Sequence, residues 1–420
     1  MDDVATAAEA AARASYGKLV ALLAARTHDV AGAEDALSEA FAEALGSWSE
    51  SGVPRIPEAW LLTVARRKLI DAARRRRSAD AAAPTLSLLA EEFAHLRDES
   101  EIPDERLRLM FACAHPAIDA GVRAPLILQT ILGFDAATIA SAFLVAPTTM
   151  SQRLVRAKSR IRQAGIPFRV PEREELAGRL DAVLEAIYAV YAEGWSDPAG
   201  TQVRSRGLTE EGIWLGRLVA SLMPREPEAL GLLALMLHAE ARRTARRDAQ
   251  GEFVPLDAQD PVQWNGRCID EAEALLLAAS RMGAPGRFQL EAAVQSVHAA
   301  RRNSGTTDWA AIVALYDALV TLTGSVVAAI NRAVAIAQRG GTDAAAEGLA
   351  ALDALPQGDV ADYQPYWAAR AALLARTGNC SAACDAYQRA IGLEPDPAAR
   401  RFLLGQRSRL QLCRNDMFPP

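Results

Sequence analysis

Residues 137–162 read ATIASAFLVAPTTMSQRLVRAKSRIR, two short helical patterns on either side of a turn. In the first, Ile139, Ala140 and Phe143 recur at helical spacing within 138–143, and Leu144, Val145 and Ala146 make the turn. Pro147 restarts the chain, because a proline at the first helical position removes an N–H that would have no partner there. In the second, Met150, Leu154, Ala157 and Ile161 form an apolar stripe of the kind that packs a helix face. Thr148, Thr149, Gln152, Arg153, Arg156 and Arg160 fall outside that stripe. These are residue types that read base edges in a major groove: Arg bonds guanine, Gln bonds adenine, and Thr touches the thymine methyl. Five basic residues and no acidic one lie between Met150 and Arg162. The expectation is a helix-turn-helix on duplex DNA; the plainer alternative is a solvated basic face.

Outward from this stretch, the chain has 420 residues, half of them apolar, enough for several domains with sizeable cores. Its net charge of −6 argues against nucleic acid only if the charge is evenly spread. It is not: residues 1–170 hold 21 basic and 21 acidic groups, whereas 171–420 hold 25 and 31. Within the balanced part the cations are bunched, and bunched cations set affinity for phosphate. No apolar run approaches a membrane span, and residues 1–12 lack the cationic start of an export signal. A cytoplasmic protein without a membrane partner is expected. The five cysteines have no zinc-ligand spacing and read as reduced thiols, so no metal is expected.

Alanine, leucine, arginine and glutamate dominate throughout and no strand pattern emerges, which predicts an all-α fold. A helix at about 5–27 is followed by one at about 31–48, with Ala33, Leu37, Ala40, Phe41, Ala44 and Leu45 on its apolar side. Glu34, Asp35, Ser38, Glu39 and Glu43 make its other face acidic. Residues 48–57 read as a loop containing Arg55, and Pro57 suits a helix start. The next helix, PEAWLLTVARRKLIDAARRRR, packs through Trp60, Leu61, Val64, Leu69 and Ala72. It sets Arg66, Arg67, Lys68, Arg74, Arg75, Arg76 and Arg77 against one acid, Asp71. Like charges at helical neighbours repel unless an anion neutralises them, so this block predicts nucleic acid. Residues 78–103, with Pro84 and an acidic run, read as a linker; helices at 104–114 and 122–132 then support the helix-turn-helix.

An acidic-faced helix AEDALSEAF, a WLLTVARRKLIDAARRRR helix and a distal helix-turn-helix ending RLVRAKSRIR stand in that order over about residues 10–165. The order resembles the extracytoplasmic-function sigma factors of the sigma-70 superfamily, which keep only the second and fourth sigma regions. The resemblance implies that Glu34, Asp35, Ser38, Glu39 and Phe41 dock on core RNA polymerase. It implies that residues 51–57, Arg55 included, capture a flipped base of the minus-ten element, and that Trp60, Arg66, Arg67, Lys68 and Arg74–Arg77 on the following helix also contact that element, its cations holding the opened strand. Thr148, Thr149, Gln152, Arg153, Arg156 and Arg160 would read the minus-thirty-five element. The chain departs from the family at Ser38, commonly Gln, and at Arg67, commonly Asn.

More than half of the chain lies beyond this match. Helices are expected at 172–191, 210–222 and 227–247, the last closed by Arg242, Arg243, Arg246 and Arg247 as cations at a helix C-terminus. Toward the end Trp367, Ala371, Leu374, Ala383, Tyr387, Ala390 and Pro395 fit a tetratricopeptide pattern. The segment from Arg332 aligns with that from Arg370 at an offset of 38, and residues 309–322 begin a further, degenerate unit. YAEGWSD, LLALMLHAEARR, TDWAAIVALYDAL and NRAVAIAQRGG resemble the sigma branch with a long C-terminal tetratricopeptide-like extension, which implies that the extension controls activity and binds a protein or peptide.

The expected organisation is therefore sigma region 2 at 1–80, an acidic linker at 81–103, sigma region 4 at 104–167, a helical intermediate domain at 168–305 and repeats at 306–420. No HExxH, GxSxG, GxGxxG or Walker pattern occurs, so neither an enzyme nor a cofactor is expected. His115, His238 and His298 read as structural, as do Cys380 and Cys384. The rival from another class is a one-component regulator whose helix-turn-helix binds an operator while the tail senses a ligand; it leaves the acidic-faced and arginine-rich helices without a role.

Overall fold

The computed structural model describes residues 16, 19–20, 23–24, 30–54, 57–77, 105–143, 145–164, 171–196 and 207–417. Among them every regular element is helical, with one isolated antiparallel bridge between Arg247 and Phe253, so the all-α expectation is borne out. No helix among these residues is long and apolar enough to cross a membrane. The linker expected at 81–103 lies outside the described residues. The rest divides into two compact units, one from the described residues of Met1–Gly194 and Val203–Leu218, the other from those of Trp195–Gln202 and Val219–Pro420.

In the first unit α1 (Val30–Ser51) and α2 (Pro57–Arg77) pack on each other. Ala33, Leu37, Ala40, Ala44 and Trp48 recur every three or four residues on α1 and are all buried, the spacing of one helix face. That stripe turns away from Leu45, which is 51% exposed and not in the core as its sequence position suggested. The helix also runs past the expected end at Trp48. Gly52, at φ 81, closes it by donating its N–H to the Trp48 carbonyl at 3.0 Å, a left-handed cap that favours glycine. Pro57 opens α2, and Leu61, Val64, Ala65 and Leu69 bury its inner face.

Then come α3 (Glu105–Cys113), α4 (Ala120–Thr130), α5 (Ala136–Ala142) and α6 (Pro147–Ala164). Asp135 caps α5 by accepting the Thr138 N–H at 2.8 Å, and Met150 and Leu154 anchor α6 at 1% exposure each. The first unit continues beyond the expected boundary at residue 167, through α7 (Arg173–Ser196) into α8 (Leu208–Leu222). Arg179, buried on α7, donates to the Phe111 carbonyl of α3 at 3.1 Å and to Glu175. α7 and α8 approach so closely that a Cβ on Gly212 would stand 2.9 Å from Tyr191, and one on Gly194 2.6 Å from Thr209.

The second unit is built on α9 (Pro227–Ala241), buried on nearly every side from Ala229 to His238, as a helix apolar all round must be. It packs against α10 (Gly266–Ser280) and α11 (Arg287–Ser304). The sequence placed its end at Arg247; it ends at Ala241, whose carbonyl accepts the Asn265 N–H at 2.9 Å. The arginines beyond have specific partners: Arg242 bonds Gln295, Arg243 bonds Glu240, and Arg247 pairs with Asp396 at 2.5 Å. They are tethers, and not a cationic helix end.

After α12 (Trp309–Thr323) come α13 (Val326–Gln338), α14 (Gly341–Asp353), a single turn α15 (Gln357–Val360), α16 (Gln364–Arg376), α17 (Cys380–Leu393) and α18 (Pro397–Met417). α13 packs on α14 and α16 on α17, each pair joined by a link short enough to form a helical hairpin. The 38-residue offset read from the sequence reappears as burial. Ala333 and Ala371, Ala345 and Ala383, and Leu352 and Ala390 are each fully buried. Arg332 and Arg370, also one offset apart, pair with Asp317 on α12 and Asp353 on α14.

Candidate nucleic-acid interface

The outer face of α6 follows from its inner one. With Met150 and Leu154 buried, positions 148, 152, 153, 156 and 160 must point away, and Thr148, Gln152, Arg153, Arg156 and Arg160 are all exposed, with Thr149 half-buried. None of the three arginines pairs with a described acidic residue. This is a free cationic face able to meet phosphate and base edges.

Lys158 behaves differently. It lies four residues after Leu154 and eight after Met150, so it prolongs the packed stripe instead of the outer face. Its ammonium donates to Glu34 on α1 at 2.5 Å, the side chains 23% and 12% exposed. Burial raises the Glu34 carboxyl above the ordinary range, and the Lys158 charge and hydrogen bond only partly draw it back. The sequence reading left Lys158 without a role, although its spacing marked it as inward.

Around this pair the acidic face of α1 is divided. Asp35, Ser38 and Glu39 are exposed, and Phe41 is half-buried, its ring stacked on Tyr16 at 6.4 Å and 25°. Burial, with Glu34 beside it, pushes the Tyr16 hydroxyl up to about 12 against a hydrogen bond with Ser38. It therefore stays protonated at any physiological pH.

On α2, Trp60 is half-buried edge-on against Trp48 at 5.5 Å. Arg67 reaches Glu43 at 2.6 Å, and Lys68 reaches Glu43 at 2.9 Å and Glu39 at 3.8 Å. The bonds from Lys68 and then Arg67 hold the Glu43 carboxyl below its usual range. Two cations expected on DNA are thus neutralised within the hairpin by α1, while Arg66 is half-buried. Arg55 and the side chains of Arg74, Arg75, Arg76 and Arg77 lie outside the described residues.

In the second unit His238 is buried, and its ring nitrogens have no hydrogen-bond partner although Nε2 is 3.4 Å from Glu273. Burial and then Arg242 lower His238 to about 4, so it is neutral at pH 7 and the approach to Glu273 is not an ion pair. Ser296 donates to that carboxylate at 2.6 Å. His298, edge-on to Trp309, is also lowered to about 4 by burial, Arg242 and Arg301. Among the described residues no group of His, Cys, Asp or Glu has the arrangement to hold a metal ion, and Cys113, Cys268, Cys380 and Cys384 are free thiols.

Sigma-70 region 2 matches residues 12–79, and a family of unknown function, DUF6596, matches residues 179–280. An uncharacterized protein of Rhizobium meliloti (strain 1021) is 39% identical over 377 residues, 88% of this chain and 88% of that protein. No solved structure matches. With a region 2 at its N-terminus and a relative aligned along almost its whole length, the chain is a sigma-70 family member that belongs to one family with the Rhizobium meliloti protein.

Proposed function

We propose that the chain is a sigma factor of the extracytoplasmic-function type: a cytoplasmic, non-catalytic subunit that binds core RNA polymerase, recognises minus-ten and minus-thirty-five promoter elements and starts transcription. The observation that carries this reading is the α1–α2 hairpin, matched by sigma-70 region 2, with Asp35, Ser38 and Glu39 exposed on one helix, and Arg67 exposed between the half-buried Arg66 and Lys68 on the other. Glu34, Asp35, Ser38, Glu39 and Phe41 are the polymerase contacts in this reading. Trp60 and the cations of α2 serve the opened minus-ten strand, where stacking and backbone cations offset the cost of unpairing. The helix pair α5–α6 acts as the helix-turn-helix of region 4, with Arg153, Arg156 and Arg160 free to meet duplex DNA.

The helices beyond α7 form the controlling extension. Its repeated hairpins, alike in burial at an offset of 38, support a tetratricopeptide-like array that takes a protein or peptide. Run-off transcription with purified core polymerase tests the reading, with permanganate probing of thymines as the decisive readout. Reactive thymines mean that the promoter opens. Duplex protection without opening would instead make the chain a one-component regulator, and absence of polymerase binding would remove the sigma assignment.

A further inference from the structure

We propose that the groove between α10 and α11 binds a small organic primary ammonium, an NH3+ head on an apolar body. The site lies within the second unit, so it does not rest on the polymerase-binding reading above. Both helices pack on α9, and the groove they leave holds about 450 Å³, a volume within the range of small-molecule sites. Glu273, Leu276, Leu277 and Ser280 line it from α10, and Gln289, Leu290 and Ala293 from α11. Their spacings of three, four and seven put each set on one helix face. Leu277 stands 52% exposed at the mouth, an apolar side chain left open to water.

The polar groups of this lining accept hydrogen bonds and have none to give. Gln289 spends both amide hydrogens, one on Glu228 at 3.1 Å and one on the Ala284 carbonyl at 2.8 Å, which leaves only its side-chain oxygen. Ser280 spends its hydroxyl hydrogen on the Leu277 carbonyl at 2.9 Å. An ionised carboxylate such as Glu273 only accepts. A helix N-terminus ordinarily draws anions, but that of α11 is already taken, because the Phe288 and Gln289 N–H groups donate to Glu228 at 2.8 and 3.1 Å. A phosphate or carboxylate would find no donor among these groups. A primary ammonium brings three donors and no acceptor, which is the complement.

Glu273 supplies the charge. Ser296 donates to its Oε1 at 2.6 Å, and no lysine or arginine among the described residues pairs with it. His238 backs the same oxygen from inside the unit, with Nε2 3.4 Å away. That ring is 1% exposed and neither nitrogen is hydrogen-bonded, a buried polar group without a partner in the closed fold, which calls for a reason. Neutral at pH 7, it leaves the charge of Glu273 uncancelled. A slight turn of the carboxylate toward a bound ammonium lets the Nε2–H tautomer donate to it, so the orphaned ring becomes the support that holds Glu273 against its ligand.

Calorimetric titration of the full chain with n-hexylammonium at neutral pH tests this, and a dissociation constant at or below about 1 mM is expected. Trimethylhexylammonium, which keeps the charge but has no N–H, should bind about tenfold more weakly or worse, because its charge-assisted hydrogen bonds are gone. Hexanoate should not bind. Glu273→Gln, at a side chain 45% exposed, should keep the thermal unfolding temperature and lose about tenfold in hexylammonium affinity. Leu277→Lys plants an ammonium four residues after Glu273, an arrangement that stabilises a helix; it should unfold no earlier than the parent and lose hexylammonium binding by a similar factor. No heat from hexylammonium, equal binding of trimethylhexylammonium or hexanoate, or parental affinity in Leu277→Lys would each overturn the site. Tighter binding of Nα-acetyl-lysine amide than of hexylammonium would overturn the small-molecule occupant in favour of a peptide lysine. None of these outcomes bears on the sigma reading, which stands or falls on polymerase binding.

Discussion

Glu34 and Lys158 lie 124 positions apart and meet at 2.5 Å, an acid of α1 against a base of α6, both largely withdrawn from water. Removing one partner leaves the other charge desolvated and unpaired, which costs more than removing both. Lys158→Met should therefore destabilise α1 more than the double change Glu34→Gln, Lys158→Met. A coupling of about 1–3 kcal/mol is expected. Hydrogen exchange of α1 amides in the two single variants, the double variant and the parent measures it, and additive effects would mean that the pair contributes nothing as a pair.

Glu43 holds both Arg67 and Lys68. Glu43→Gln should release them to solvent, tightening single-stranded DNA binding at low salt and steepening its salt dependence. Each freed cation that finds a phosphate adds about 0.7 to the slope of log affinity against log salt. A titration series across salt concentrations reads this directly; an unchanged slope would show that these side chains do not reach the strand.

Arg156 projects from α6 with no described acid beside it. Arg156→Ala should cost about 1–3 kcal/mol at one base position if the guanidinium reads a guanine. Binding measured on a panel of single-base variants separates this from a phosphate contact, which would weaken every sequence alike.

His238 and His298 are both lowered to about 4 by burial together with Arg242, and in His298 also Arg301. Between pH 4 and the ordinary histidine value of about 6.5 the unfolded chain binds more protons than the folded one, so stability must fall as pH falls through this window. Above about 6.5 the contribution is complete, and at pH 4 the loss reaches up to about 3 kcal/mol for each histidine. Thermal unfolding of the second unit followed from pH 7.5 to 4 should show this slope. Because neither His238 nitrogen is hydrogen-bonded, His238→Leu should remove about half of the slope with little loss at neutral pH.

Truncation after residue 165 removes α7, and with it the buried Arg179 that bonds the Phe111 carbonyl of α3. Such a chain should lose protection of the α3 amides, whereas one ending after Leu222 should keep it. Equal protection in both would show that α7 is dispensable to the first unit.

The sequence by itself determined the helices and most of their faces. The stripes Ala33, Leu37, Ala40, Ala44 and Met150, Leu154 were legible because burial on one side of a helix imposes a period of 3.6. The same local logic exposed Gln152, Arg153, Arg156 and Arg160, and the 38-residue offset located two hairpins whose matching positions are buried alike. Local periodicity does not say which face meets which.

Only the tertiary structure decided that Lys158 belongs to Glu34, that Arg67 and Lys68 are held by Glu43, and that α9 stops at Ala241 so that Arg247 can reach Asp396. Each of these is a contact across a long sequence separation, set by how packed helices bring charges within about 3 Å of one another. A basic residue on a helix looks the same in sequence whether it awaits a phosphate or already has a carboxylate.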